Sequence, residues 1–278
     1  MSVENFVQKA LEEDLGRGDL FASIFESFES QARLISKDNG TFAGKVYGQS
    51  LVDLVGCKIH WQVEDGQKIS HGDLLANLEG DGIKLLQIER TLLNILQHAS
   101  GIATQTARFV EALGERSVRL LDTRKTRPNL RSFEKYAVRC GGGHNHRFGL
   151  DDALMLKDTH LALIDNLLTT IQKARKTLPF TTMIEIECES LEGAKEAMNA
   201  GADIVMCDNM DCAKMAQVVA YKRANFPHVL LEASGNVTME RLGEIAKTGV
   251  DAISAGSLIH QATWLDFSMK MESRHGVG

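Results

Sequence analysis

Residues 183–209 read MIEIECESLEGAKEAMNAGADIVMCDN, and their pattern decides the fold. MIEIEC and DIVMCDN have strand length and are rich in apolar residues, while LEGAKEAMNAG between them has helical character. Largely apolar strands separated by a helix indicate a parallel sheet covered on both faces. The alternation continues outward through VRLLDT (118–123), ALMLKD (153–158), VLLEAS (229–234) and DAISAGS (251–257). Helical stretches such as CAKMAQVVAYKRA and TMERLGEIAKTG lie between these runs. Gly201-Ala202-Asp203 and Gly249-Val250-Asp251 lead into their strands in the same way, 48 residues apart, as two βα units would. Six such units favour a (β/α) barrel, complete or incomplete, over a doubly wound sheet. No G-x-G-x-x-G follows a first strand, which argues against a dinucleotide site.

Toward the N-terminus the pattern changes. Residues 3–14 carry Val3, Phe6, Val7, Ala10 and Leu11 at helical spacing, and Asp14-Leu-Gly-Arg-Gly-Asp19 ends that helix. Residues 32–80 hold short apolar runs between glycines and predict a compact β-rich layer. Residues 84–113 are apolar-periodic and free of proline, which predicts either one helix or two joined at Gly101.

Composition bounds the function. The chain has 278 residues, enough for about two domains or one large barrel. Its net charge of −6 and 6% aromatic content argue against a nucleic-acid or anionic-membrane partner. No apolar run is long enough to cross a bilayer, and acids interrupt the first fifteen residues, unlike the core of a signal peptide. Five cysteines without C-x-x-C spacing suit a reducing cytoplasm.

In an α/β barrel the chemistry gathers at the carboxyl ends of the strands. Those ends carry Asp122 with Arg124 and Lys125, Lys157-Asp158, Glu187 and Glu189, Asp208-Asn209, Glu232 with Ser234-Gly235, and Gly256-Ser257. Between Arg124 and Lys157 eight basic residues stand against three acids, a basic island inside an acidic chain. Arginine forks and lysine charges bind carboxylates and phosphates. Glu187 and Asp208 from later strands suit Mg²⁺, which takes one or two carboxylates together with substrate oxygens. The glycine-bearing ends EASGN (232–236) and SAGS (254–257) suit phosphate. Cys140, His144 and His146 make an incomplete zinc set; the better reading of that loop presents His146 and Arg147 to an anion. By spacing alone, Arg90 reads as a surface arginine on an amphipathic helix.

LDTRKTRPNLRSFEKYAVRCGGGHNHRFGLDDALMLKDTHL (121–161) closely resembles the signature of the quinolinate phosphoribosyltransferases. ALEEDLGRGDL, ERTLLNILQHASGIAT (89–104), IEIECESLEGAKEAMNAGADIVMCDN, LLEASGN and TGVDAISAGSLIHQA extend the likeness over nearly the whole chain. The resemblance implies an N-terminal α/β sandwich over 1–105, with a tail of about 265–278 returning to it, and an open α/β barrel over 106–264. It implies transfer of a phosphoribosyl group from phosphoribosyl pyrophosphate (PRPP) to quinolinate with loss of CO₂, giving nicotinate mononucleotide for NAD synthesis. It also implies a homodimer with shared active sites, in some members assembled into hexamers.

Residue by residue, Arg90 matches the arginine that reaches into the partner's site, which replaces the surface reading. Arg124, His146, Arg147 and Lys157 match groups that hold the pyridine dicarboxylate. Lys125, Glu187 and Asp208 match residues around PRPP and its Mg²⁺, and Ser234, Gly235, Gly256 and His260 match the phosphate end. Phe21, His144 and Asn236 depart from the family pattern, where threonine, a small or aliphatic residue and glycine are common. Two rivals compete: a related phosphoribosyltransferase-like protein linked to molybdenum transport, and an aldolase with Lys157 as Schiff base.

Overall fold

A computed structural model of the protein describes residues 2–114 and 117–272; residues 273–278 of the expected returning tail lie outside them. The chain opens with α1 (Val3–Leu15), β1 (Glu29–Ser36), β2 (Gly40–Thr41), α2 (Lys45–Leu54), β3 (Lys58–Trp61) and β4 (Lys68–Ile69). It continues through β5 (Leu74–Asp81), α3 (Gly82–Leu113), β6 (Arg119–Leu121), α4 (Arg131–Cys140), β7 (Leu154–Leu156), α5 (Asp158–Leu161) and α6 (Leu167–Thr177). Then follow β8 (Ile184–Cys188), α7 (Leu191–Ala200), β9 (Ile204–Asp208), α8 (Cys212–Asn225) and β10 (Leu230–Ser234). The last elements are α9 (Met239–Lys247), β11 (Ala252–Ser254), α10 (Ser257–His260) and β12 (Phe267–Met271).

Two compact units alternate along this order. The first holds residues up to Ala107, Pro128–Gly142 and the chain from Gln261; the second holds Arg108–Arg127 and Gly143–His260. Pro128–Gly142, inside the stretch read as barrel, is thus part of the first unit.

The first unit is built on an antiparallel sheet ordered β12-β1-β5-β3. β12 returns to pair with β1, setting Ala32 opposite Met271 and Ser36 opposite Phe267. The β-rich expectation for residues 32–80 missed α2. Tyr47, Gly48, Leu51 and Val52 are buried at helical spacing, so the glycine there is a contact and not a turn. A Cβ on Gly48 would stand 3.0 Å from Trp61 and 3.2 Å from Leu92. Gly101 decides between the one helix and the two that were expected, because α3 runs through it unbroken. A Cβ there would lie 2.3 Å from the Thr263 carbonyl oxygen, so the missing side chain admits a neighbouring backbone.

α4 buries Phe133, Ala137 and Val138 in the same unit. Phe133 stacks on Phe6 at 5.1 Å and meets Tyr47 edge-on at 4.9 Å. Tyr136 donates to Asp65, whose other carboxylate oxygen accepts from the amides of Gly44 and Lys45 at the start of α2. One carboxylate therefore ties two helices together.

In the second unit all six strands are parallel, in the order β6-β11-β10-β9-β8-β7, and the barrel is not closed. Beside β6, a single parallel bridge joins Leu121 to His144. Ile184, Ile186, Val205, Leu231 and Ile253 are at most 1% exposed, as the apolar runs require of strands covered on both faces. The Gly-x-Asp echo has a shared physical meaning. Asp203 accepts from the Ile184 amide at 2.7 Å and pairs with Arg175 of α6 at 2.7 Å. Asp251 accepts from the Leu231 amide at 2.8 Å and pairs with Lys222 of α8 at 3.4 Å. Each aspartate ties the start of a neighbouring strand to the end of a helix.

Among the described residues no helix is long and apolar enough to cross a membrane. All five cysteines are free.

Candidate functional site

At the carboxyl ends of the six strands lies a cavity of about 510 Å³. Strand alternation selects what faces it. Glu187 stands level with Met206, and Asp208 is level with Ser234, so β8, β9 and β10 present alternate residues to one space. Arg124, Lys125, His146, Arg147 and Lys157 line the cavity from the other side of the acids Glu187 and Asp208 in sequence. Ser234 and Gly235 line it as well. Gly256 and His260 are outside the lining but adjoin it: a Cβ on Gly256 would stand 2.8 Å from Lys125 Cδ and 3.3 Å from the His260 ring. Arg90 belongs to the first unit and is exposed on α3.

The basic island divides. Four of its eight members, Arg124, Lys125, Arg147 and Lys157, reach the cavity. Arg131, Lys135 and Arg139 sit on α4 in the first unit, so a run of charge in sequence is not one charged surface.

Several of the cavity groups are held by neighbours. Lys157 Nζ pairs with Glu187 Oε2 at 2.6 Å. Asp208 Oδ2 accepts from Asn209 Nδ2 at 2.6 Å. Arg147 donates one guanidinium N–H to the Ala153 carbonyl at 2.9 Å. Burial, with the charge of Arg124 beside it, lowers the pKa of Arg147. Asp122, fully buried at the end of β6, accepts from the Asn145 side chain at 2.6 Å and the His146 amide at 2.8 Å, which fixes the 144–147 loop.

His146 spends both ring nitrogens inside the protein. Nε2 lies 3.2 Å from Glu185 and 3.3 Å from Glu232, and Nδ1 accepts from the Arg147 amide at 2.8 Å. Burial pulls the imidazole pKa down, but the hydrogen bonds and charge of the two carboxylates outweigh it and hold a ring proton at Nε2. Burial also raises Glu185. Nδ1 is taken up as an acceptor from the Arg147 amide, so the ring carries its proton on Nε2, between Glu185 and Glu232.

The model of the quinolinate phosphoribosyl transferase C-terminal domain matches residues 102–270, and that of its N-terminal domain matches residues 19–100. The chain belongs to the quinolinate phosphoribosyl transferase family. It is 40% identical over 272 residues to a probable nicotinate-nucleotide pyrophosphorylase [carboxylating] of Synechocystis sp., covering 97% of this chain and 92% of that one. A protein of the same description from Bacillus subtilis is 42% identical, covering 92% of this chain and 89% of that one. The crystal structure of NadC from Streptococcus pyogenes superposes with a TM-score of 0.91 at 42% identity, over 96% of this chain and 95% of that one.

The three positions expected to depart from the family pattern each have a definite local setting. Asn236 takes φ 47°, a left-handed conformation that asparagine tolerates, and donates to Asn209 Oδ1 at 3.1 Å. Beside it, a Cβ on Gly235 would fall 2.3 Å from the same oxygen, so this glycine admits the neighbouring loop. His144 serves through its backbone, which bonds Leu120 and Asp122, while its side chain is exposed. Phe21 stacks on Phe25 at 4.8 Å in an exposed turn.

Glu185 is the site-forming residue that the strand-end reading missed, because it lies inside β8 and not at its end. The signal was present in IEIEC: in a strand, residues two apart share a face, so Glu185 follows Glu187 toward the barrel interior.

Proposed function

We propose that this protein transfers the phosphoribosyl group of PRPP to quinolinate, releasing CO₂ and pyrophosphate and forming nicotinate mononucleotide. One observation carries the reading: Arg124, Lys125, Arg147 and Lys157 share a single cavity with Glu187 and Asp208. Two substrates that are both polyanions need that many fixed cations, and a reaction that builds positive charge on a sugar needs the acids.

Arg124, Arg147 and Lys157 hold the two ring carboxylates, with His146 forming the wall behind Arg147. Lys125, Ser234, Gly235, Gly256 and His260 receive the phosphate groups and offset the charge that grows on departing pyrophosphate. The ring nitrogen forms a bond to the anomeric carbon as the carbon–oxygen bond to pyrophosphate breaks, its electrons leaving with that oxygen. Glu187 and Asp208 face the positive charge that appears on the ribose. The ring, now cationic, accepts the electron pair of the adjacent carbon–carboxylate bond as CO₂ leaves, and a proton takes the vacated position. Orientation and exclusion of water do most of the work, and no covalent nucleophile is needed.

Glu187 and Asp208 fit Mg²⁺. Both are oxygen donors on the cavity, and each has one oxygen outside the 2.6 Å contacts described above. When bound there, the ion would neutralise pyrophosphate charge.

The active form in this reading is a homodimer in the reducing cytoplasm. Leu20 at 84% exposure and Ile24 at 80%, beside Phe21 and Phe25, form an apolar surface in the unit that carries exposed Arg90. Arg90 of one protomer would serve the partner's cavity. Mixing Arg90→Ala with Glu187→Ala protein should then restore activity that neither has alone.

The test of the reaction is release of labelled CO₂ from carboxyl-labelled quinolinate with PRPP, Mg²⁺ and the protein. Release that depends on PRPP supports the assignment. Its absence from folded protein overturns it.

A further inference from the structure

The arrangement around His146 is costly and has no structural need. Glu185 and Glu232 are 1% and 2% exposed, and each leaves its Oε1 buried without a hydrogen-bond partner. Two buried acids converging on one imidazole nitrogen destabilise the fold relative to apolar residues of similar volume. The residues level with them in the adjoining strands, Met155 and Ile204 beside Glu185 and Met206 and Ala252 beside Glu232, are apolar, so the sheet itself asks for nothing polar here. Costs of this kind persist where a site requires them.

We propose that Glu185 and Glu232 are positioning residues, which lock His146 as an Nε2–H tautomer so that its Nδ1 braces Arg147 against the substrate. Nε2 donates inward toward the two carboxylates at 3.2 and 3.3 Å. That leaves Nδ1 free of its proton and able to accept the Arg147 amide at 2.8 Å. The guanidinium of Arg147 is tied separately to Ala153 at 2.9 Å. The residue that grips the anion is thus fixed at its backbone and at its tip. His146 acts on the dicarboxylate through Arg147 and as a wall of the cavity, not as a donor, because both nitrogens are already engaged.

The proposal rests on the reaction assigned above, and its first test does not need turnover. Nitrogen-15 correlation spectra of histidine-labelled protein, with the His146 signals assigned by loss in His146→Gln, should show a bare Nδ1 and a protonated Nε2. In the Glu185→Ala/Glu232→Ala double variant the ring should become a mixture of tautomers. A wild-type ring protonated on Nδ1, or a tautomer unchanged by the double variant, overturns the proposal. If the double variant does not fold, the wild-type spectrum alone decides.

Kinetics supply the second test. Glu185→Ala or Glu232→Ala should raise the quinolinate KM about tenfold, the effect of losing a buried hydrogen bond, while the PRPP KM stays within about twofold. Glu185→Gln and Glu232→Gln keep an accepting oxygen and should restore most of the loss. Equal change in both KM values, or no rescue by glutamine, overturns the positioning role. Because three ligand atoms of His146, Glu185 and Glu232 lie within 4.8 Å of one another, stoichiometric metal in purified protein that Glu232→Gln removes would also overturn it. An inactive wild type with the Nε2–H pattern intact would break the reaction assignment alone.

Discussion

The two ends of the parallel sheet carry the same acidic residue types with opposite fates. At the amino ends, Asp203 and Asp251 spend their oxygens on the amides of Ile184 and Leu231 and on Arg175 and Lys222. At the carboxyl ends, Glu187 and Asp208 face a cavity among cations. In a parallel sheet every strand delivers its last residues to one side, so charges gathered there meet each other and a ligand. Those at the other side meet backbone and helix ends. Position along the strand, more than residue type, separates a structural tie from a group that faces the cavity.

The strongest way to break that contrast is at the carboxyl end. Arg147→Ala should lower kcat/KM for quinolinate about a thousandfold, the scale of removing one partner from a buried charge contact, with PRPP affinity changed about threefold or less. Arg124→Ala should show the same bias. Steady-state kinetics with each substrate varied in turn read the partition, and equal weakening of both would show that it is misassigned.

Glu187→Gln and Asp208→Asn come next. Each should cut kcat about a hundredfold while the denaturant midpoint stays near wild type, because in the proposed reaction these acids face charge that appears in the transition state. A kcat unaffected by either variant would return these acids to the same class as the opposite row.

Asp203→Ala and Asp251→Ala should do the reverse. Each strands an amide at the start of a strand and should cost about 1–3 kcal/mol in urea unfolding, with both KM values unchanged. The smallest effect is expected at Asn236. Asn236→Ala should cost about 1 kcal/mol because alanine tolerates φ 47° poorly, and Asn236→Gly should be close to neutral.

The parallel sheet was legible because its strands are apolar along their length, and the strand ends could then be read off. Eight of the residues named at those ends line one cavity. What escaped was whatever depends on neighbours distant in sequence. Gly48 and Gly101 look like turn and joint until Trp61 and Thr263 are placed against them. Glu185 looks like a strand residue until His146 and Glu232 arrive beside it. The basic island looked single because sequence proximity hides that α4 folds with the first unit.

The pairing of β1 with β12 sets an order of events during synthesis. Ala32 to Ser36 wait for residues 267–271, more than 230 positions later, before that edge is covered. At a translation rate of about 5–20 residues per second, the interval is at least about ten seconds. Throughout it β1 is an open border strand able to pair with another nascent chain. The first unit to leave the ribosome is therefore the last to be finished, and a chaperone that shields Glu29–Ser36 would matter more to yield than one acting on the barrel strands.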